Sequence, residues 1–238
     1  MSKVIEFKNY TETSVDMYIS GDIVDDSWKG WSWGEDMSVY PSNIKTMLDE
    51  AKGKIINLYV NSGGGHISAG LAICHMLQRH DAKVIGHVDA MACSIASVIL
   101  MGCTEIKMPK DTYLMIHKPS SYCDGNADDM RKVADSLDVL QKGIMASYER
   151  HLKDGVSIES VEALVNAETW LTAEEASQYF NIQVDDPVGA VACNGNMLEK
   201  YKKIPKNLIE NKQKEEELKE KQRMIDMKNK IDIALAIV

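Results

Sequence analysis

Two residues of this chain have the type and the setting for covalent chemistry, Ser94 and His117. A serine attacks a carbonyl when a base takes its proton, a third group orients that base, and N–H donors receive the oxyanion. Ser94 stands in Asp89-Ala90-Met91-Ala92-Cys93-Ser94-Ile95-Ala96-Ser97. The apolar stretch Val84 to Val88 leads in as a buried strand, and Ile95 to Met101 leads out as a buried helix. Ser94 therefore falls on a helical first turn, where N–H groups lack intrahelical partners and the dipole favours negative charge. Small residues at Ala90, Ala92 and Ala96 let other backbone come close. A serine at such a junction can equally do no more than cap the helix. Of the six histidines, His66, His75, His80 and His151 fall on expected helices as surface or packing residues, and His87 falls within a strand as a satisfied core histidine. His117 differs, because it ends a strand in Leu114-Met115-Ile116-His117-Lys118-Pro119 and the proline bars a helix from following. A strand-end histidine can reach across a cleft, but spacing alone leaves open whether it meets Ser94.

The elements that must position these residues alternate strand and helix. Val15 to Ile19 reads as a strand, Ser42 to Ala51 as a short helix, and Ile55 to Val60 as a strand running into Asn61-Ser62-Gly63-Gly64-Gly65. A helix from about Ile67 to Arg79 follows. Strand, glycine loop and helix invite a nucleotide-binding reading, which fails on detail: Gly70 breaks the dinucleotide spacing and Leu71 stands where a phosphate loop needs lysine. The glycines instead free backbone N–H groups and admit a second chain segment. Glu105 to Pro109 and Thr112 to Ile116 read as short strands. A long amphipathic helix runs from Ala127 to Leu152, with Met130, Val133, Leu137, Leu140, Ile144 and Tyr148 at helical spacing. Ser157 to Val165 is a further helix, and Thr172-Ala173-Glu174-Glu175 is a capping box opening another to Phe180. This order predicts an α/β domain on a mostly parallel sheet over residues 1–190, followed at 191–238 by a charged, helical tail. Three of the four tryptophans crowd into Trp28-Lys29-Gly30-Trp31-Ser32-Trp33-Gly34, either a binding or subunit surface or a loop packed on its own core.

Composition narrows the class. At 238 residues the chain can bury a real core, and its net charge of -9 argues against nucleic acid as the main partner. Five cysteines, odd in number and without C-x-x-C spacing, fit thiols in a reducing compartment better than a zinc site, so no metal is expected. The polar N-terminus lacks a signal peptide's apolar core and no run reaches membrane-spanning length, which predicts a cytoplasmic protein without a membrane partner.

Asn61-Ser62-Gly63-Gly64-Gly65, the Ala92-Cys93-Ser94 turn and Met115-Ile116-His117-Lys118-Pro119, in this order and at these separations, resemble the ClpP family, the proteolytic subunits of Clp proteases. The likeness runs from about Val15 to Asp186. The tryptophan stretch, Glu168-Thr169-Trp170-Leu171-Thr172-Ala173-Glu174-Glu175-Ala176 and the tail look more like the ClpP-related head-maturation proteases of tailed phages and prophages than like housekeeping ClpP.

The resemblance implies a ClpP/crotonase-type fold of stacked ββα units, in which the long helix is a protruding handle joining one ring to another. It implies a serine endopeptidase that needs no cofactor. Ser94 matches the nucleophile, His117 the general base, and the N–H groups of Gly65 and Ile95 the oxyanion donors. Glu168 matches the acidic member of the triad, where the family usually has aspartate; Asp154, Asp185 and Asp186 align less well. Gly64 belongs to the substrate-facing loop. Ser120 and Ser121 replace a glycine pair in the segment that pairs with the substrate backbone in ClpP. Cys93 reads as a small buried residue. The implied assembly is a homo-oligomeric ring, a heptamer or double heptamer. A phage enzyme would act on scaffold and capsid proteins within the prohead or host cytoplasm. A housekeeping-like subunit would work with an AAA+ unfoldase, which would supply any ATP use. Three rivals stand beside this reading. A crotonase-type enzyme acting on coenzyme A thioesters would not need a Ser94–His117 pair. A serine–lysine peptidase would use Lys83 or Lys118. An inactive ring would keep the fold as a shell component.

Overall fold

In the computed structural model the described residues are 5–31, 36–187, 201–205, 221 and 223–224. Trp33 and nearly all of the expected tail, 191–238, lie outside them. The chain divides into two compact units, Met1–Met197 and Leu198–Val238.

The first unit runs β1 (Ile5–Lys8), β2 (Ser14–Ser20), β3 (Asp22–Ile23), β4 (Ser38–Val39), α1 (Pro41–Glu50), β5 (Ile55–Ser62), α2 (Ile67–Gln78), β6 (Val84–Cys93), α3 (Ile95–Leu100), β7 (Glu105–Pro109), β8 (Tyr113–Ile116), α4 (Ala127–Glu149), α5 (Ile158–Ala167), β9 (Thr169–Thr172), α6 (Ala173–Tyr179) and β10 (Ile182–Asp185). Eight of these strands form one sheet in the order β1-β2-β5-β6-β7-β10, from which β8 branches off β6 and β9 off β8. The β1–β2 and β8–β9 pairs are antiparallel and the other pairs of this sheet parallel, which is the α/β class expected.

Alternation decides which face of each strand is buried. Val15, Met17 and Ile19 of β2 and Ile56, Leu58 and Val60 of β5 are fully buried, together with Ile44 of α1 and Ile73 of α2 in the same core. The opposite face carries a row of stacked rings, Tyr18 on Tyr59 at 4.8 Å and Tyr59 on His87 at 4.7 Å between centroids. His87 therefore belongs to this outer row. Its Nε2 is buried and has no hydrogen-bond partner among the described residues, so the expectation of a satisfied core histidine is corrected. Stacking on Tyr59 fixes the ring's plane, and burial holds the imidazole below its usual pKa.

β6 is the strand that creates a site. Ile56 to Val60 of β5 face Val84 to Val88 in step, but Ser62 faces Ala92, so two extra residues of β6 are accommodated between these registers. This bulge bends the strand. Before it, Ile85 to His87 pair with β7; after it, Met91 to Cys93 pair with β8. One strand thus serves two sheet branches, and its end is carried away from the main sheet toward β8. Trp28 and Trp31 are 60% and 75% exposed, which excludes, for these two rings, the alternative of a loop packed on its own core. No described helix is long and apolar enough to cross a membrane.

Candidate active site

Strand direction brings the candidate residues to one edge. β6 and β8 are parallel, so Ser94, just after Cys93, and His117, just after Ile116, leave their strands on the same side. β9 runs antiparallel to β8 with Ile116 facing Thr169, so Glu168, just before Thr169, falls opposite His117. The loop after β5, which holds the glycines, opens at this edge too.

Ser94 has φ 55° and ψ −125°, a backbone conformation that a residue with a Cβ rarely adopts. Such a position costs of order 1–3 kcal/mol and persists when its surroundings over-determine it. Here the Ser94 N–H donates to the Met115 carbonyl at 2.8 Å and its own carbonyl accepts from the Ser97 N–H at 3.0 Å. Its side chain makes no capping bond to α3, so the helix-cap alternative does not describe it. The hydroxyl instead lies 2.7 Å from His117 Nε2. Burial pushes the His117 imidazole below its usual pKa, and the Glu168 carboxylate pulls in the opposite direction. Glu168 itself is the left-handed C-cap of α5, at φ 53°. That conformation ends the helix and starts β9 without a spacer, which keeps Glu168 opposite His117.

The glycine loop closes over the same turn. Gly64 has φ +81°, and a Cβ there would lie 2.6 Å from the Cys93 carbonyl oxygen, 2.8 Å from Ser94 Cβ and 3.2 Å from the Ile95 nitrogen. The loop can approach the Ser94–Ile95 peptide this closely because it has no side chain at that point. Gly65 is bridged to Ile23, but the bonds run from Ile23 N–H to the Gly64 carbonyl at 2.9 Å and from His66 N–H to the Ile23 carbonyl at 2.8 Å. In a parallel bridge those bonds flank the central residue, so the N–H of Gly65 faces the other way. Ile95 is the first residue of α3, whose opening N–H groups have no partner within the helix. Ser62 Oγ secures the loop by donating to the Gly21 carbonyl at 2.5 Å and accepting from the Gly64 N–H at 3.1 Å.

Ser94, His117, Glu168, Gly64, Gly65 and Ile95 thus share one edge, and their geometry suits nucleophilic attack on a carbonyl with a nearby base and oxyanion donors. Ser120 and Ser121 belong to an exposed stretch following His117, outside any described strand. Among the other histidines, His80 Nε2 lies 2.9 Å from the Lys54 carbonyl oxygen and His151 Nε2 lies 3.1 Å from that of Cys103, both in packing roles. Lys83 is paired with Glu105 at 2.6 Å on β7, away from this edge. Cys93 is buried at the end of β6. Among the described residues no group of three or more His, Cys, Asp or Glu could hold a metal ion. Sequence reasoning missed Ile23 and Met115, whose contributions are made by backbone atoms and leave no mark in residue type.

The model of the family described as Clp protease matches residues 40–183. The chain is 33% identical over 135 residues to ATP-dependent Clp protease proteolytic subunit 2 of Thermobifida fusca, an alignment covering 55% of this chain and 64% of that protein. It is 33% identical over 129 residues to an ATP-dependent Clp protease proteolytic subunit of Bacteroides fragilis, covering 53% and 61%. It is 34% identical over 136 residues to the corresponding subunit of Porphyromonas gingivalis, covering 56% and 60%. The matched part thus spans about three-fifths of these relatives' length.

Proposed function

Because the chain belongs to the Clp protease family, we propose that it is a serine endopeptidase whose nucleophile is Ser94. The observation that carries this is the 2.7 Å approach of His117 Nε2 to Ser94 Oγ at a serine held in a strained backbone conformation. His117 takes the hydroxyl proton as Ser94 Oγ attacks the substrate carbonyl carbon. The N–H groups of Gly65 and Ile95 receive the oxyanion. His117 then gives the proton to the leaving amine, and water, deprotonated by the same imidazole, releases the acyl group. Glu168 orients the histidine and stabilises its charged form, as its raising effect on the imidazole supports. The exposed stretch after Pro119, with Ser120 and Ser121, is where an extended peptide would pair with the backbone.

The finer reading rests on likeness. The substrates are scaffold and capsid proteins of a phage head, the working form is a homo-oligomeric ring in the host cytoplasm or prohead, and any ATP use belongs to a partner unfoldase. Residues 1–190 carry the activity and 191–238 form an appended tail.

The test is labelling of the purified protein with a fluorophosphonate, located by peptide mass spectrometry and compared with His117→Ala. Labelling on Ser94 that His117→Ala abolishes is the expected result. Absence of labelling on the assembled protein, with and without its capsid partner, would overturn the peptidase reading. Ser94→Ala should lower peptide turnover on the order of a millionfold.

A further inference from the structure

α3 is apolar on every side but contains one fully buried hydroxyl, Ser97. Ser97 Oγ donates to the Ser94 carbonyl oxygen at 2.5 Å and lies 2.6 Å from the hydroxyl of Tyr148. Since the single Ser97 hydroxyl proton goes to the carbonyl, Tyr148 donates to Ser97 Oγ. Tyr148 is itself 1% exposed, on the buried half of α4, with its ring against Phe180 at 5.7 Å between centroids. The result is a directed chain, from the Tyr148 hydroxyl to Ser97 Oγ to the Ser94 carbonyl.

That carbonyl and the Ile95 N–H belong to one planar trans peptide, in which C=O and N–H point in opposite directions. Whatever holds the carbonyl therefore aims the N–H. The Ser94 carbonyl is held twice, by the N–H and the hydroxyl of Ser97. The same peptide follows a residue at φ 55°, where rotation of the peptide is the natural way to relieve strain. Resting on the peptidase reading above, we propose that Ser97 and Tyr148 are positioning residues that keep the Ser94–Ile95 peptide from rotating and so hold the Ile95 N–H toward the oxyanion. Neither residue touches the reacting atoms. Their effect falls on the transition state, where the oxyanion exists, and leaves ground-state substrate binding unchanged.

The experiment compares the full-length wild type with Ser97→Ala, Tyr148→Phe and the double variant, using fluorescein-labelled casein for turnover and the second-order rate of fluorophosphonate labelling. Ser97→Ala should lower kcat by about 30- to 300-fold with KM unchanged, as partial loss of an oxyanion donor does, and slow labelling in proportion. Tyr148→Phe should lower kcat by about 3- to 10-fold, because Ser97 keeps its own bond but loses the one that fixes its rotamer. The double variant should match Ser97→Ala and not the product of the two, since Tyr148 acts through Ser97. Melting temperature separates positioning from folding. Ser97→Ala leaves a buried phenol without a partner and lowers the Tm, whereas the double variant removes both polar groups and recovers it. A kcat that stays low in the double variant while the Tm recovers supports the proposal. A kcat that recovers with the Tm, or single variants within about twofold of the wild type, overturns it. If Ser97→Ala does not fold, Tyr148→Phe and the double variant decide by the same criteria. A wild type that is not labelled on Ser94 defeats the peptidase reading, and the positioning proposal falls with it; labelling that is equal in all four proteins defeats the positioning proposal alone.

Discussion

His117 and Glu168 set the pH at which the proposed base is neutral. Burial holds the His117 imidazole below its usual pKa, and the Glu168 carboxylate opposes this by favouring the imidazolium. The acidic limb of kcat/KM should therefore lie below the ordinary imidazole value of about 6.5. Removing the charge with Glu168→Gln takes away the opposing influence, so the imidazole pKa falls further and the limb moves to lower pH. The plateau should fall at the same time, by about 10²- to 10⁴-fold, because the amide neither accepts the imidazole proton as well nor stabilises its charge. A pH–rate profile of both proteins checks the shift, and a limb that moves upward or stays fixed would remove Glu168 from its role. Gly64 makes a second residue-level case. A methyl group there would meet the Cys93 carbonyl oxygen at 2.6 Å and Ser94 Cβ at 2.8 Å, at a φ of +81° that strains any L side chain. Gly64→Ala should slow fluorophosphonate labelling by about 100-fold or more, the scale of losing an oxyanion donor, because the loop must retreat from the Ser94–Ile95 peptide. Labelling at the wild-type rate would mean that the loop does not need its close approach.

At the scale of elements, the site depends on α2 and α3 meeting closely. A Cβ on Gly70 of α2 would stand 2.2 Å from Ile95 Cγ1. Gly70→Ala gains helix propensity but overpacks this contact, and the net effect should be destabilising by about 1–3 kcal/mol. Denaturant titration measures it, and a variant as stable as the wild type would show that α2 can shift without cost. The strands and helices that carry this arrangement were largely legible. Alternation marked β2 and β5, the helical spacing of Ile144 and Tyr148 marked α4, and Thr172 with Glu175 announced the capping box that opens α6. β1, β9 and β10 were not, because each is a short strand with a single partner at an edge of the sheet, where burial imposes no clear alternation, and β9 runs directly into the α6 cap. The types of Ser94, His117 and Glu168 were legible, and so was the order of the motifs. Their meeting was not, since it depends on the bulge in β6 and on the β8–β9 register, which are properties of pairing between distant segments. Nor did residue type reveal that Ser94 and Glu168 both take positive φ. His87 was misread because its neighbours look like core, yet a period of two puts it on the outer face with Tyr59.

The whole molecule leaves one helix half unfinished. α4 spans Ala127–Glu149, but its buried residues begin at Gln141 and continue through Ile144, Met145, Ser147 and Tyr148. The face that carries Ile144 and Tyr148 into the core extends outward along Leu140, Leu137, Val133 and Met130, and Met130 is 52% exposed. An apolar stripe at helical spacing with no buried member cannot be explained by this unit's own core. The N-terminal end is nevertheless well built: Asn126 accepts from the N–H groups of Asp128 and Asp129, and Asp129 accepts from that of Asn126. In the ring assembly proposed for this family member, the stripe would cover the same helix of a second copy. Met130→Glu together with Leu137→Glu places charge on the stripe without touching the buried half of α4. Sedimentation should then give a smaller species than the wild type at equal concentration, while the helix content seen by circular dichroism stays unchanged, because neither residue belongs to the buried half of α4. If the double variant sediments as the wild type does, the stripe is not the contact between copies, and the assembly must be held by another surface.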